Sequence, residues 1–468
     1  MKFLRALVAI LTFSVSLTAF GQDITGQWNG LLNIPGSPLR LAINITKTAQ
    51  GYTSTLDSPD QGAFGIPVDT TLFKGSTLKL TVVNLGIQYK GEFADDTFKG
   101  TFIQGGMTLP LEFSRDKIEK TTLKRPQEPH KPYPYLAEDV SFPNVDANIS
   151  LAGTLTMPKE EGMYPAVVLI TGSGPQDRNE EIVGHKPFLV ISDYLTKNGI
   201  AVLRFDDRGI GQSTGDFASA TSVDFASDVK SAVAYLKTRK EIDVTKIGLV
   251  GHSEGGLIAP MVAAEAKDID FIVLMAGPGI SGDKLLSLQG KLIERASGIS
   301  EAKIKRSGEI RDKLIDMTIA SQDINTLKAD LRTYLIEEFQ NTESKALLPQ
   351  GITEEQFISM QIDFMATPWM VNFLRYDPAN VLEKVDCAVL AINGEKDLQV
   401  PPKENLAAID FALKKQGNKK VTVMEFPNVN HLFQECETGT PNEYGTIEET
   451  FSPVVLTEMT NWILKQVQ

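Results

Sequence analysis

The amino-acid sequence predicts an α/β fold, in which a mainly parallel β-sheet has helices on both faces, preceded by a small antiparallel β domain. From residue 137 onward, short continuous apolar runs alternate with stretches of helical spacing. This succession is typical of strands buried on both faces of a sheet. Before that point, residues 23–116 alternate polar and apolar residues between turns rich in Gly, Asp, Asn and Pro, as antiparallel strands do. A chain of 468 residues has room for about two or three domains.

Composition excludes several classes of function. The formal net charge of −13 would repel a phosphate backbone, so we expect no nucleic-acid partner. The four His and two Cys lie far apart and lack the spacing of zinc ligands, so we expect no metal. Cys387 and Cys436 are expected to be two unpaired thiols. The sequence leaves the oligomeric state open.

The N-terminus has the pattern of a signal peptide. Lys2 and Arg5 precede an apolar stretch, residues 6–17, and small residues follow it before Gln22. We therefore expect residues 1–21 to be cleaved and the protein to be secreted or periplasmic. The apolar stretch is shorter than the roughly 20 residues that span a bilayer, so no stable membrane insertion is expected.

The β domain is predicted over residues 23–116 and forms a curled sheet or barrel. A linker follows at residues 117–136, where four prolines favour extended backbone. We expect Trp28 to be a buried aromatic of this sheet rather than a platform for a ligand. A spacer, a dimer contact and a polymer-binding module all fit this domain.

The second domain is predicted over residues 137–468. Its predicted strands are 140–142, 149–157, 166–170, 201–205, 247–250, 271–275, 388–392 and 421–426, and its predicted helices outside the insertion are 188–197, 222–237, 256–266 and 453–467. This order gives a mainly parallel sheet covered on both sides.

A helical insertion interrupts the sheet at about residues 280–383, where the strand signal disappears. Helical spacing covers residues 285–296, 301–320, 325–340 and 354–376. Thr353 and Gln356 form a plausible capping box at the start of the last of these helices.

Chemistry is predicted first at Ser253, in Gly251-His252-Ser253-Glu254-Gly255-Gly256, between a buried strand and a helix. A serine in so sharp a strand-to-helix turn presents its hydroxyl above the sheet edge. Glycines are needed two positions to either side, because side chains there would collide. The motif in this context indicates a nucleophile. His252 and His185 are expected to be structural.

A serine nucleophile needs a base and a group that orients the base. Asp397 follows the strand 388–392, and His431 follows the strand 421–426. The chain order Ser, Asp, His fits neighbouring strand ends, so we assign Asp397 and His431 these roles. Glu395 is a close competitor of Asp397.

The oxyanion of a tetrahedral intermediate needs two N–H donors. We expect one from the backbone of Glu254, directly after the nucleophile. The other is expected in the loop after the strand 166–170, from the backbone of Ser173 or, alternatively, of Gln176. Asp207 and Arg208 are expected to brace this loop through their charges rather than to contact substrate.

These motifs, together with residues 172–178, 206–213, 394–401 and 430–433, resemble the α/β-hydrolase serine esterases of secreted bacterial type, related to serine aminopeptidase-like and acyl-thioester-hydrolase branches. The resemblance covers about residues 137–468. It implies an α/β-hydrolase fold with an eight-stranded sheet, a helical lid, a triad of Ser253, Asp397 and His431, and hydrolysis of carboxylic esters without a cofactor. Many relatives carry His-Gly before the oxyanion loop where this chain has Thr171, which should alter pocket polarity more than activity.

The expected substrate is a small-molecule ester with a short to medium acyl chain, since a lid of about a hundred residues suggests a covered pocket of limited depth. Trp369, Met370 and Phe373 are candidates for its lining. An aminopeptidase with the same triad is an alternative that needs a lid acid facing the pocket. The candidates for that acid are Glu337, Glu338, Glu354 and Glu355. A non-catalytic exported binding protein is a further alternative.

Overall fold

The computed structural model describes residues 23–34, 38–61, 63–104, 107–119, 124–159, 161–349 and 352–468. The predicted signal peptide, residues 1–21, lies outside the described residues. The chain divides near residue 120 into two compact units. In the part of the chain that is described, helices are all too short or too polar to cross a membrane.

The first unit is a nine-stranded antiparallel sheet with the strand order β4-β3-β2-β1-β9-β8-β7-β6-β5. Its strands are β1 (Gly26–Leu32), β2 (Leu39–Thr48), β3 (Gly51–Ser58), β4 (Ala63–Pro67), β5 (Thr70–Lys74), β6 (Thr77–Val82), β7 (Ile87–Ala94), β8 (Thr97–Gln104) and β9 (Met107–Ser114). The sheet curls back on itself. Strands β3 and β5 lie near opposite ends of the strand order, yet the hydroxyls of Ser54 on β3 and Thr71 on β5 are 2.7 Å apart. Trp28 is fully buried, which confirms its structural interpretation.

The second unit is built on an eight-stranded sheet with the order β10-β11-β13-β12-β14-β15-β16-β17. Its strands are β10 (Leu136–Asn144), β11 (Ile149–Met157), β12 (Tyr164–Ile170), β13 (Ala201–Phe205), β14 (Ile242–His252), β15 (Phe271–Met275), β16 (Ala388–Gly394) and β17 (Val421–Phe426). The pairs β10–β11 and β11–β13 are antiparallel, and every later pair is parallel. The predicted mainly parallel sheet is confirmed.

Helices cover both faces of this sheet. They are α1 (Pro187–Lys197), α2 (Ser222–Lys237), α3 (Glu254–Glu265), α4 (Gly282–Ala296), α5 (Glu301–Ala320), α6 (Ile324–Glu338), α7 (Thr342–Lys345), α8 (Glu354–Met365), α9 (Pro368–Arg375), α10 (Ala379–Leu382), α11 (Pro402–Lys415) and α12 (Pro453–Gln466). One apolar cluster joins α1 and α12 to the sheet, and a second joins α2, α3, α11 and the insertion to its other face.

The insertion comprises α4 to α10 and differs from expectation in one place. The single helix predicted over residues 354–376 is wrong, because the chain breaks into α8 and α9. Pro368 cannot donate a helical hydrogen bond, and it disfavours helical backbone at the residue before it. Thr367 caps the new helix by accepting a hydrogen bond from the N–H of Met370 at 3.1 Å. The capping box of Thr353 and Gln356 is present as predicted.

Candidate active site

Ser253 lies on a sharp turn between β14 and α3. Its backbone has φ 51° and ψ −116°, a conformation that L-residues rarely adopt. The glycines of the motif permit the turn: a Cβ on Gly251 would lie 2.0 Å from the carbonyl oxygen of Gly255, and a Cβ on Gly255 would lie 2.1 Å from that of Ile170. The backbone N–H of Ser253 donates to the carbonyl of Met275 at 2.8 Å, which fixes the turn to the next strand.

His431 and Asp397 form a buried pair at the carboxyl ends of neighbouring strands. Nδ1 of His431 lies 2.7 Å from Oδ2 of Asp397. The other carboxylate oxygen, Oδ1, accepts the N–H groups of Gln399 and Val400 at 2.8 Å each. An ionised Asp397 only accepts, so Nδ1 of His431 donates this hydrogen bond, and in a neutral ring Nε2 is then the acceptor.

The competing carboxylate, Glu395, points elsewhere. It is exposed, and its Oε2 accepts the N–H of Asn428 at 3.0 Å. The loop that carries His431 is held from within, because Oδ1 of the buried Asn430 accepts the N–H groups of Leu432 and Gln434 at 3.0 Å each. The structure therefore places Asp397 rather than Glu395 against the imidazole.

The loop after β12 runs close to Ser253. A Cβ on Gly172 would lie 3.2 Å from the Cβ of Ser253. The N–H of Gln176 is engaged elsewhere, since it donates to Oδ2 of Asp207 at 2.9 Å. This contact favours Ser173 over Gln176 as the second predicted oxyanion donor. Ser173, next to Gly172, lines the pocket.

Asp207 and Arg208 brace different neighbours, not each other. The hydroxyl of Thr171 donates to Oδ1 of Asp207 at 2.7 Å, so Thr171 anchors the base of the loop. Burial raises the pKa of Asp207 to about 8. Arg208 pairs with the buried carboxylate of Asp228, with Nε 2.8 Å from Oδ2. Asp207 therefore holds the loop, as expected, whereas Arg208 is bound to α2 instead.

A pocket of about 240 Å³ opens above Ser253. Its lining includes the proposed nucleophile and base together with residues of the insertion. The lining residues are Gly172, Ser173, Gln176, Glu180, Ile182, His252, Ser253, Glu254, Pro278, Leu285, Leu286, Gln289, Phe364, Trp369, Met370, Phe373, Gln399, Val400, His431 and Leu432. Trp369, Met370 and Phe373 are thus in the wall of the pocket, and the rings of Trp369 and Phe373 stack with centroids 5.2 Å apart.

The side chain of Glu254 is buried in this wall and joins the insertion to the turn. Its Oε1 accepts from the hydroxyl of Ser222 at 2.6 Å and from the indole N–H of Trp369 at 2.7 Å. Burial raises the pKa of this carboxyl, although hydrogen bonds from Ser222, Trp369 and Ser173 oppose the shift. Sequence reasoning assigned only the backbone of Glu254, because an acidic residue in a G-x-S-x-G motif gives no sign of where its side chain points.

The lid carboxylates considered for binding an amine lie away from the pocket. Among the described residues that line it, the acids are Glu180 and Glu254, and both belong to the core of the domain. Glu338 pairs with Arg306, and Glu355 with Arg332. Cys387 and Cys436 are free thiols, as expected.

The chain resembles families of known serine hydrolases. Residues 187–347 match the family described as Serine aminopeptidase, S33, and residues 350–465 match the Prolyl oligopeptidase family. Esterase EstD of Thermotoga maritima is 26% identical over 388 residues, which cover 81% of each chain. An uncharacterized 31.7 kDa protein from the traX-finO intergenic region of Escherichia coli is 24% identical over 319 residues, covering 68% of this chain and 96% of that protein.

Solved structures similar to this chain have lower identity. The α/β hydrolase GrgF from Penicillium sp. sh18 is 16% identical with a TM-score of 0.43, covering 71% of this chain and 99% of that one. The Pyrococcus furiosus esterase Pf2001 is 17% identical with a TM-score of 0.44, covering 75% and 100%. The sheet order, the strained serine turn and the family matches define this protein as a serine α/β-hydrolase.

Proposed function

We propose that this protein is an exported serine hydrolase that cleaves carboxylic esters through an acyl-enzyme intermediate. Ser253 is the nucleophile, His431 the general base and Asp397 the group that orients the base. The observation that carries the proposal is the 2.7 Å hydrogen bond between His431 and Asp397, in the wall of the pocket onto which the strained turn of Ser253 opens.

The hydrogen bond between His431 and Asp397 fits this mechanism. With Nδ1 of His431 donating to Asp397, the free Nε2 takes the proton of Ser253 as its oxygen attacks the ester carbonyl. The imidazolium formed is stabilised by Asp397 and then protonates the leaving alcohol. Water repeats the sequence on the acyl-enzyme, which releases the acid and restores the serine.

The oxyanion is held by two backbone donors. One is the N–H of Glu254, at the first position of α3, where the positive end of the helix dipole adds to the hydrogen bond. The second is the N–H of Ser173, because the N–H of Gln176 is bound to Asp207 and that of Gly172 donates to Glu180 at 2.7 Å.

The pocket favours esters with short to medium acyl chains over peptide substrates. Its volume of about 240 Å³ lies below the roughly 300–1,000 Å³ of sites for drug-sized ligands. Its insertion side is formed by Leu285, Leu286, Phe364, Trp369, Met370 and Phe373 together with Gln289. An aminopeptidase needs an acid from the insertion for the free amine of its substrate, and the described insertion residues that line the pocket include none.

The test compares Ser253→Ala with Ser297→Ala, an exposed serine at the end of α4, on p-nitrophenyl esters of two to twelve carbons and on amino-acyl p-nitroanilides. We expect Ser253→Ala to lose turnover by several powers of ten and to escape labelling by a fluorophosphonate, while Ser297→Ala behaves as the parent protein. Unchanged ester hydrolysis in Ser253→Ala would contradict the mechanism. A parent protein that neither turns over esters nor takes the label is a binding protein instead.

Export is supported by the pattern of residues 1–21. Expression of the full chain in a bacterial host, followed by mass spectrometry of the periplasmic and secreted fractions, should find a protein that begins at Gln22. A chain retained in the cytoplasm with residues 1–21 intact would exclude export.

A further inference from the structure

A second buried pair of carboxylate and imidazole lies beside the proposed triad. Oε1 of Glu180 is 2.9 Å from Nδ1 of His252, and the two side chains are only 4% and 7% exposed. His252 is the last residue of β14 and directly precedes Ser253. The rings of His252 and His431 lie 4.9 Å apart, centroid to centroid. The mechanism above uses neither residue of this pair.

The pair connects three segments of the active site. Oε1 of Glu180 also accepts the N–H of Gly172, at 2.7 Å, in the loop that carries Ser173. On the opposite side of the ring, Nε2 of His252 is 2.9 Å from the main-chain carbonyl oxygen of His431. The oxyanion loop and the loop of the base are thereby tied to the strand end that carries the nucleophile.

The hydrogen-bond partners define the protonation state of His252. A carbonyl oxygen only accepts, so Nε2 must donate to His431. Oε1 of Glu180 accepts a hydrogen bond from Gly172 and faces Nδ1 of His252; against an ionised Glu180, Nδ1 donates as well and the ring is an imidazolium. Burial lowers the pKa of His252, but the charge of Glu180 and the hydrogen bonds from the ring outweigh it and raise the pKa.

The backbone of Glu180 is also held in an uncommon conformation. Its φ is 52°, in the left-handed region that a residue with a side chain rarely adopts. The turn is fixed locally, because the N–H of Glu180 donates to the carbonyl of Asp177 at 2.9 Å and the N–H of Asn179 donates to the carboxylate of Asp177 at 3.0 Å. Strain of this kind persists where surrounding contacts determine the conformation, and it is enriched at functional sites.

We propose that Glu180 and His252 are positioning residues: a buried ion pair that holds the oxyanion loop and the loop of the catalytic base in register with Ser253. This inference rests on the proposed function. It assigns the pair no contact with substrate. It predicts that removing the pair lowers the rate of the chemical step much more than it weakens substrate binding.

The kinetic test uses Glu180→Ala, Glu180→Gln and, as a matched control, Glu181→Ala, an exposed neighbour. Rates are divided by the number of competent sites, counted by complete titration with a fluorophosphonate. Glu180→Ala should lose about 10–100-fold in kcat, by analogy with the loss when a group that orients a metal ligand is removed, with KM changed less than about threefold. The amide introduced by Glu180→Gln can keep one of the two contacts of Oε1, because its oxygen accepts from Gly172 whereas only its nitrogen can donate to a neutral His252, so this variant should recover part of the rate. Glu181→Ala should match the parent protein.

Two kinetic results overturn the proposal: a parent-like kcat per site in Glu180→Ala, or equal losses in Glu180→Ala and Glu180→Gln. Such results accompanied by an inactive Ser253→Ala would reject only the positioning role. An active Ser253→Ala would reject the proposed function itself.

A measurement on the parent protein covers the case in which Glu180→Ala does not fold. The chain has four His, so ¹⁵N-histidine NMR gives a simple spectrum in which His252 is assigned with His252→Gln. At pH 8 we expect both ring nitrogens of His252 to carry protons, whereas burial lowers the pKa of His185 to about 4 and keeps that ring neutral. Glu180→Gln should convert His252 to the neutral form. A neutral His252 in the parent protein would contradict the ion pair.

Discussion

The indole N–H of Trp369, in the helical insertion, donates a 2.7 Å hydrogen bond to the carboxyl of Glu254, the residue directly after Ser253. The residue whose backbone N–H is the proposed oxyanion donor therefore binds the insertion through its side chain. Because Oε1 of Glu254 also accepts from Ser222 of α2, the wall of the pocket is fixed to the core at one buried oxygen. The hydrogen bond thereby links α9 to the residue proposed as an oxyanion donor.

Trp369→Phe keeps the aromatic ring but removes this hydrogen bond. A hydrogen bond to a buried, chargeable group contributes about 1–3 kcal/mol, so the free energy of unfolding should fall by that amount. If the variant also loses about 1 kcal/mol of transition-state stabilisation, kcat/KM for a short ester falls about fivefold. Denaturant unfolding and steady-state kinetics measure the two effects.

Trp462→Phe is the matched control. The indole N–H of Trp462 donates to Thr422 at 3.1 Å, away from the pocket lining. This variant should lose stability and keep its kcat/KM. Equal kinetic losses in both variants would mean that Trp369 acts through global stability alone.

The central sheet was predictable because its strands are buried on both faces. The runs 201–205 and 271–275 coincide with β13 and β15, because a strand buried on both faces needs apolar side chains at successive positions. The division of residues 354–376 was not predicted, although Pro368 signalled it: apolar spacing continues through the break, and the periodic pattern outweighed the proline. Helix α11 was missed altogether, in a stretch dominated by the motif of Asp397.

The candidate site was predictable only where position in the chain determines position in space. Ser253, Asp397 and His431 each follow a strand, and the carboxyl ends of parallel strands meet at one sheet edge. Glu180 gave no such signal, because it lies in a loop whose path depends on a left-handed residue. The choice between Ser173 and Gln176 likewise depended on a contact with Asp207 from another strand end.

Asp397→Asn tests the orientation of the base. An amide in place of the carboxylate favours the tautomer of His431 whose Nδ1 accepts, which leaves Nε2 protonated and unable to take the proton of Ser253. We expect kcat to fall by about 10⁴ with the fold intact. Glu395→Gln, on the competing exposed acid, should leave kcat unchanged. The reverse ranking of the two variants would reassign the acid to Glu395.

Phe373→Ala tests the limit on acyl length. Phe373 is buried in the pocket wall against Trp369, so its removal lengthens the cavity. Each methylene that the larger pocket buries contributes about 0.8 kcal/mol, or about fourfold in kcat/KM, so the preferred acyl chain should become longer. Leu374→Ala, on a neighbouring buried residue outside the pocket lining, should destabilise by a comparable amount, about 2–5 kcal/mol, without changing the preference. The same preferred chain length in both variants would exclude Phe373 as the limit.

Asp207 should make the stability of the protein depend on pH in a definite direction. Its pKa is raised by burial to about 8 in the folded protein, against about 3.9 in an unfolded chain. Between these values the folded state holds a proton that the unfolded state has released, so the free energy of unfolding falls as pH rises from about 4 to about 8, by up to about 1.4 kcal/mol per pH unit, and levels off above. An asparagine does not titrate, and Asp207→Asn should lose this slope.

The measurement is denaturant unfolding of the parent protein and Asp207→Asn at pH 5, 6, 7 and 8, with the difference between the two taken at each pH so that other titrating groups cancel. Asp206→Asn is the control from the adjacent position. Burial raises the pKa of Asp206, but its hydrogen bonds to Arg178 and Gln212 outweigh burial and lower it. Its contribution is therefore present at all four pH values and is lost only below the ordinary pKa of an aspartate. The free energy of unfolding of Asp206→Asn should change with pH as that of the parent protein does between pH 5 and 8. If Asp207→Asn also followed the parent protein, Asp207 would already be ionised in the folded state.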